Sequence, residues 1–303
     1  MPRGGTVIST LVEARPKPVL KWAGGKWRLC PLFAERGLLP PKFNTYHEPF
    51  VGGAALFFYL LPSRAVLLDT NEELVNLYRQ IRTDVDALLS LLREMKKAHS
   101  EEFYYKTRAA AGETLTPLER AARTVYLNKT CYNGLYRVNS KGRFNVPFGR
   151  YTNPTIVDEE NLRRAAKALS TADVVHADFE SVLDRAQAGD FVYFDPPYDP
   201  LSVTSSFTGY TKNAFGRADQ KRLAETFREL DNRGVHCVLS NSDTPFVRSL
   251  FDGYDIEALQ VPRFINSKAE KRGPVGEVVV TTARWPTPPA TVQKYPAERA
   301  MVK

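Results

Sequence analysis

The chain is poor in several residue patterns that would place it in a common class. Its three cysteines, Cys30, Cys131 and Cys237, are isolated and odd in number, which argues against a disulfide framework and against a zinc site. Four histidines (His47, His99, His176 and His236) show no metal-ligand spacing, so no metal is expected. No apolar run reaches the length of a membrane span, and Met1 to Arg15 lacks the compact apolar stretch of a signal peptide. The expectation is a protein of a reducing cytoplasm with no membrane partner. A phosphate loop of the form Gly-x4-Gly-Lys-Ser/Thr is missing, as is a complete Gly-x-Gly-x-x-Gly. Acids are missing from one whole segment, Arg120 to Val157, and the chain carries 42 basic against 34 acidic residues. The resulting charge of +8 is consistent with a polyanionic partner.

What is present centres on Gly189-Asp190-Phe191-Val192-Tyr193-Phe194-Asp195-Pro196-Pro197-Tyr198. Phe191 to Phe194 read as a short buried strand that ends at Asp195. The two prolines fix the backbone and leave their carbonyls free to accept. Asp195 can take one N–H, a proline carbonyl another, and Tyr198 can lie flat on a ring. That set of groups suits an aromatic amine whose nitrogen is to attack something.

Upstream, Tyr46 to Phe58 reads as a strand end, a glycine turn (Glu48-Pro49-Phe50-Val51-Gly52-Gly53) and an apolar helix, the first unit of a nucleotide-binding α/β sheet. A second buried strand, Ala65 to Asp69, ends in an acid 21 residues beyond Glu48, where a carboxylate can bind ribose hydroxyls. A third strand, read over Asp173 to Phe179, is ended by Asp178, which should face the same crevice. Lys21-Trp22-Ala23-Gly24-Gly25-Lys26-Trp27 offers a ring face and a charge beside a glycine pair. Thr70-x-x-Glu73 and Thr116-Pro117-Leu118-Glu119 read as capping boxes, with one helix continuing from Leu74 to Lys97.

The acid-free segment holds seven basic residues (Arg120, Arg123, Lys129, Arg137, Lys141, Arg143, Arg150) interleaved with six aromatics (Tyr126, Tyr132, Tyr136, Phe144, Phe148, Tyr151). Asn128, Asn133, Asn139 and Asn145 add amides able to read base edges. Arg137 to Val146 reads as a β-hairpin with a Ser-Lys-Gly turn, of a size that enters the DNA major groove. A basic loop from Arg263 to Gly276 is expected to form a second phosphate-contacting arm, and Leu201 to Phe215 a flap over the site. About seven strands alternate with helices, so the expected fold is α/β, an open and mostly parallel sheet. Residues 1–71 and 158–303 would form the catalytic domain, with loose tails at 1–17 and 286–303. Residues 72–157 would form an inserted recognition domain of helices and a hairpin.

In order along the chain, seven motifs are similar to those of the Dam-type (D12 class) DNA adenine-N6 methyltransferases. They are Lys-Trp-Ala-Gly-Gly-Lys (21–26), Glu-Pro-Phe-Val-Gly-Gly (48–53), Asp-Thr-Asn (69–71), Asn-Lys-Thr-Cys-Tyr-Asn-Gly-Leu-Tyr-Arg (128–137), Phe-Asn-Val-Pro-Phe-Gly (144–149), Asp-Pro-Pro-Tyr (195–198) and Arg-x-Ile-Asn (263–266). The resemblance runs from about Lys17 to Arg284 and implies a Rossmann-like methyltransferase fold that uses S-adenosylmethionine. It implies that Trp22 and Lys26 contact the cofactor's methionine part above the Glu48, Pro49, Phe50, Gly52 and Gly53 turn. Asp69 and Asn71 would serve the ribose, Asp178 and Phe179 the adenine, and Asp195, Pro196, Pro197 and Tyr198 the target base. DNA contacts would come from Lys21, Arg123, Asn128, Lys129, Tyr132, Asn133, Leu135, Arg137, Asn139, Lys141, Arg143, Asn145, Pro147, Arg150, Arg263, Asn266, Lys268 and Arg272. Arg137 is the candidate reader of a guanine.

The implied reaction is methyl transfer to adenine N6 in duplex DNA, in GATC, by base flipping. Implied too are a monomer at the nucleoid and room for a cognate restriction endonuclease acting on the same site. Cytosine-N4 methylation, RNA methylation and a non-catalytic DNA-binding module remain as alternatives.

Overall fold

In the computed structural model, residues 15–110, 114–200, 215–261 and 275–283 are described. Strands β1 (Tyr46–Glu48), β2 (Ala65–Asp69), β3 (Ala172–His176), β4 (Phe191–Phe194), β5 (His236–Ser242), β6 (Asp255–Val261) and β7 (Val275–Thr281) form one sheet ordered β3-β2-β1-β4-β5-β7-β6. The first five in that order run parallel, and β7 lies antiparallel between β5 and β6. A parallel sheet needs cover on both faces, and β4 shows why. Its four residues are all buried; Phe191 and Tyr193 join one apolar cluster while Val192 and Phe194 join another.

Helices α1 (Cys30–Glu35), α2 (Ala55–Leu60), α3 (Glu72–Thr83) and α7 (Glu159–Leu169) contribute to the first cluster. Helices α8 (Arg217–Asn232) and α9 (Pro245–Leu250) contribute to the second. The chain winds outward from β1 through β2 to β3 on one side, and from β4 to β5 on the other. The winding direction therefore reverses between β1 and β4, and a crevice opens beyond their carboxyl ends, where ligands bind in sheets of this kind.

Between β2 and β3 the chain adds α4 (Val85–Lys97), α5 (Glu101–Ala109) and α6 (Pro117–Thr130). Their apolar faces, including Leu88, Leu92, Tyr104 and Val125, belong to the same buried cluster as β1 and β2. The helix expected over Leu74 to Lys97 is two helices. Asp84 leaves helical geometry (φ −151°) and its carboxylate accepts from Ala87 N, opening α4. The expected Thr70 cap is replaced by Asn71, whose side chain accepts from Leu74 N. Thr116 and Glu119 do form a reciprocal capping box.

Two further expectations are corrected. The third strand stops at His176, and Asp178 caps a 3-10 turn (Phe179–Asp184) by accepting from Glu180 N. The hairpin over Arg137 to Val146 is short: Asn139 N donates to Arg143 O (2.9 Å) and Asn145 N to Arg137 O (3.0 Å) around an isolated Val138–Phe144 bridge, with no extended ladder. Asn139 Oδ1 accepts from Lys141 N and Arg143 N, so a side chain takes the place of a ladder bond there.

Candidate active site

A cavity of about 660 Å³ lies in the crevice, and all but one of the expected cofactor residues line it: Trp22, Lys26, Glu48, Phe50, Gly52, Gly53, Asp69, Asn71, Asp178, Phe179 and Asp195. Pro49 is buried and does not line the cavity. The turn after β1 is shaped by Gly52 at φ +44°, where a Cβ would come within 3.0 Å of the Trp22 indole. Tyr78 on α3 donates to Gly52 O (2.7 Å) and pins the turn from beneath. Asp69 closes the other wall. Its carboxylate accepts from Gly52 N (3.2 Å) and Asn71 N (2.8 Å), while burial, only partly opposed by those N–H groups, pushes it up to about 6. Glu48 is buried, accepts from Tyr46 OH (2.9 Å), and is driven well above its ordinary range by desolvation.

At the cavity's second end Phe50 stacks on Phe179 (5.3 Å, 24°), and Phe215 meets both edge-on. Arg222 on α8 lies over the Phe179 ring and bonds to Asp178, Glu180 and Asp219. An apolar aromatic slot with a carboxylate at its rim fits a purine. Adjacent to it, the cavity offers a strand-end carboxylate for ribose hydroxyls. The donor set therefore fits an adenosyl cofactor.

The reacting end is built by β4. Beyond it, Asp195 Oδ1 lies 2.9 Å from Lys26 Nζ, and Lys26 also donates to Gly24 O (2.6 Å). Lys26 is 3% exposed, and its ammonium stands 4.7 Å from the centre of the Tyr198 ring. Burial alone would lower its pKa, but Asp195 and Glu277 reverse the effect and hold it charged. The pKa of Asp195 itself is raised, by desolvation that Lys26 opposes. Lys26 thus lines the cavity while ion-paired with Asp195.

Three parts of this region escaped the sequence reading. Glu277, from β7, accepts from Tyr198 OH (2.6 Å). Arg222 ties together Asp178, Glu180 and Asp219 at the aromatic end of the cavity. Gln220 on α8 donates to Pro197 O (2.9 Å) and is itself held by Asn241 (2.9 Å), so a buried amide pair backs the proline turn. An acid inside the apolar run Val275 to Val280 was the available signal for Glu277. No comparable local signal marks the other two.

The expected DNA residues divide into two groups. Lys21, Tyr132, Asn133, Arg137, Asn139, Lys141, Arg143, Pro147 and Arg150 are exposed, and Leu135 and Asn145 partly so. Tyr132 N donates to Pro147 O (2.9 Å), and Arg137 holds Asn145 through Nε (2.8 Å). Asn128 stands apart at 1% exposure. It accepts from Lys21 N and donates to Lys21 O and Gly134 O, so its amide is spent on backbone rather than on a base. At Gly134 (φ +63°) a Cβ would sit 2.7 Å from the Lys21 side chain, which keeps that junction tight. Arg123 turns inward to the Thr107 and Arg108 carbonyls, capping α5, and Lys129 is half-buried, its pKa lowered by desolvation. These three belong to the scaffold of the basic segment. Arg263, Asn266, Lys268 and Arg272 lie outside the described residues, as does all of the expected flap but Phe215.

Among the described residues no helix is long and apolar enough to cross a membrane, and no group of three or more His, Cys, Asp or Glu could hold a metal ion. Comparison with known proteins agrees with the geometry. Residues 22–263 match the family described as D12 class N6 adenine-specific DNA methyltransferase. A type II methyltransferase of Lactococcus lactis subsp. cremoris is 43% identical over 271 residues, covering 88% of this chain and 95% of that protein. A type II methyltransferase of Methanocaldococcus jannaschii is 45% identical over 274 residues, covering 84% and 95%. The DNA adenine methylase of Escherichia coli is 36% identical over 262 residues, covering 86% and 93%.

Proposed function

The chain belongs to the D12 class N6 adenine-specific DNA methyltransferases, and from that premise we propose that it methylates adenine within GATC in duplex DNA after swinging the base out of the helix. Family membership sets aside the cytosine, RNA and non-catalytic alternatives and implies S-adenosylmethionine as cofactor. The observation that carries the reading is Asp195 at the crevice end of β4, lining the 660 Å³ cavity together with Pro196, Pro197 and Tyr198. When bound in that cavity, S-adenosylmethionine supplies an electrophilic methyl group.

The chain's own residues do the rest. Asp195 Oδ1 and the Pro196 carbonyl accept the two N–H bonds of the adenine amine, drawing its lone pair out of ring conjugation. Tyr198 stacks on the base. Lys26 gives up its place on Asp195 and over the Tyr198 ring as the base arrives, since both positions are the ones the base needs. The acceleration rests on positioning and on preset electrostatics in a water-poor site. The gap in the duplex is filled by Tyr132, 52% exposed on the recognition segment, which offsets part of an unstacking cost of a few kcal/mol.

Residues 72–157 act as the recognition module. Tyr132, Asn133, Leu135, Arg137 and Pro147 form its reading edge together with Lys21 of the catalytic domain, and Asn139, Lys141, Arg143 and Arg150 its phosphate contacts. Arg263, Asn266, Lys268 and Arg272 add further contacts to the DNA. The type II designation of two relatives supports a cognate endonuclease acting on the same site. The protein works as a monomer at the nucleoid. Single-molecule sequencing of DNA from cells expressing the protein, against an Asp195→Ala control, tests the reading. N6-methyladenine confined to GATC and absent from the control is expected; modification at another motif would refute the specificity, and none in either sample would refute the substrate.

A further inference from the structure

Glu277 is a buried carboxylate for which the transfer chemistry above has no task. It reaches the site because β7 runs antiparallel: the start of β7 lies where the parallel strands end, with Glu277 opposite Ser242 of β5. The side chain is 9% exposed. It accepts from Tyr198 OH at 2.6 Å and lies 3.8 Å from Lys26 Nζ. Lys26 in turn is 2.9 Å from Asp195. Two carboxylates therefore share one ammonium; burial raises the pKa of both, Lys26 opposes that shift, and with both ionised the cluster carries one net negative charge. Without Glu277, the Lys26–Asp195 pair would be neutral.

That single charge matters because the two forms of the cofactor differ by one charge. The methyl donor carries a sulfonium cation; the demethylated product is a neutral thioether at the same atom. A buried net charge beside the reacting atom distinguishes them far more strongly than solvent-facing charges could. We propose that Glu277 is a positioning residue that sets the charge of the transfer pocket, so that the cleft favours the cationic donor over its neutral product. It does so through its two contacts. The bond to Tyr198 keeps the carboxylate beside the reacting turn, and the proximity of Lys26 gives that ammonium a second partner when the adenine amine claims Asp195. The inference rests on the functional reading above and deepens it.

The test needs binding alone. Full-length protein is titrated calorimetrically, without DNA, with S-adenosylhomocysteine, which is neutral at sulfur, and with sinefungin, in which a carbon bearing a cationic amine replaces the sulfonium. Wild-type protein is expected to favour sinefungin. Glu277→Gln keeps an acceptor for Tyr198 but removes the charge, and should weaken sinefungin binding by roughly ten-fold while S-adenosylhomocysteine changes by less than about three-fold. Glu277→Asp should retain most of the preference. Equal losses for both ligands would reduce Glu277 to a packing role, and no loss would also overturn the proposal. Lys26→Met guards against a misfolded Glu277 variant. It removes the opposing positive charge, so it should raise the preference for sinefungin, and a fall would refute the charge argument. Wild-type protein that binds neither ligand would overturn the functional reading itself, whereas binding of both without this pattern overturns the inference alone.

Discussion

The transfer cleft and the basic segment from Arg120 to Val157 are both rich in charged side chains, and they handle them in opposite ways. In the cleft, Lys26, Glu48, Asp69 and Glu277 are buried or half-buried, and each is held by named partners at hydrogen-bond or ion-pair distance. On the basic segment, Arg137, Lys141, Arg143 and Arg150 are exposed. Chemistry on one atom needs dipoles fixed before the substrate arrives, in a medium too dry to screen them. Reading a duplex needs side chains that can still move to a base edge or a phosphate. The same chain separates the two by burial alone, and the separation can be tested from either side.

The largest effect on the recognition side is expected at Arg137. Its Nε donates to Asn145 Oδ1 (2.8 Å) and its Nη2 to Asn145 O (3.3 Å), which aims the guanidinium so that its outer N–H groups can meet a guanine edge. Arg137→Ala should lower discrimination at a single base pair by about 10- to 100-fold, the value of one bidentate contact. The ratio of kcat/KM on cognate and singly substituted duplexes measures it. Cofactor affinity should be unchanged. A uniform loss on every duplex would mean that Arg137 only contacts phosphate, and would blur the division drawn above.

Much of this arrangement was legible in the order of short motifs. Strand-end acids after buried runs at Asp69 and Asp195 marked the crevice, because a parallel strand delivers its last residue there. Residues whose role depends on distant chain were not legible. Glu277 comes to the site through antiparallel pairing with β5, and Arg222 through the packing of α8 against the turn after Asp178. Asn128 misled for a related reason. An amide in a basic, aromatic stretch resembles a base reader, and only the tertiary approach of Lys21 makes it a buried clamp. Asp84 shows the local version: one cap that breaks a helix whose apolar spacing runs on unbroken.

A smaller effect is expected in the cleft, from pH. Asp69 is pushed up to about 6 by burial, and ribose hydroxyls need its charged form as acceptor. The sign follows from the direction of the shift. Above that pH the carboxylate is ionised and affinity for S-adenosylhomocysteine is full; as pH falls through about 6 the acceptor is lost and affinity declines. Asp69→Asn should bind roughly ten-fold more weakly at neutral pH, the worth of about one charge-assisted bond, and should lose the acid decline. Titration calorimetry between pH 5 and pH 8 covers the window. An unchanged decline in the variant would assign it to another group.

The smallest effect should come from Lys141, at the tip of the recognition turn. The turn does not depend on its side chain, because Asn139 Oδ1 accepts from the backbone N–H groups of Lys141 and Arg143, and Gly142 takes the left-handed position at φ +74°. Lys141→Ala therefore removes one exposed charge and leaves the backbone as it was. A phosphate contact carries no sequence information, so cognate and non-cognate duplexes should weaken together, by a few-fold at physiological salt. The slope of log affinity against log salt should become shallower by about one, the value of a single neutralised phosphate. This pairing separates Lys141 from Arg137 more sharply than affinity could: one variant moves the salt slope with specificity intact, the other moves specificity at a single base pair. If Lys141→Ala instead changed discrimination with no change in slope, the tip of the turn would be a base reader, and exposure on this segment would not by itself distinguish phosphate contacts from sequence contacts.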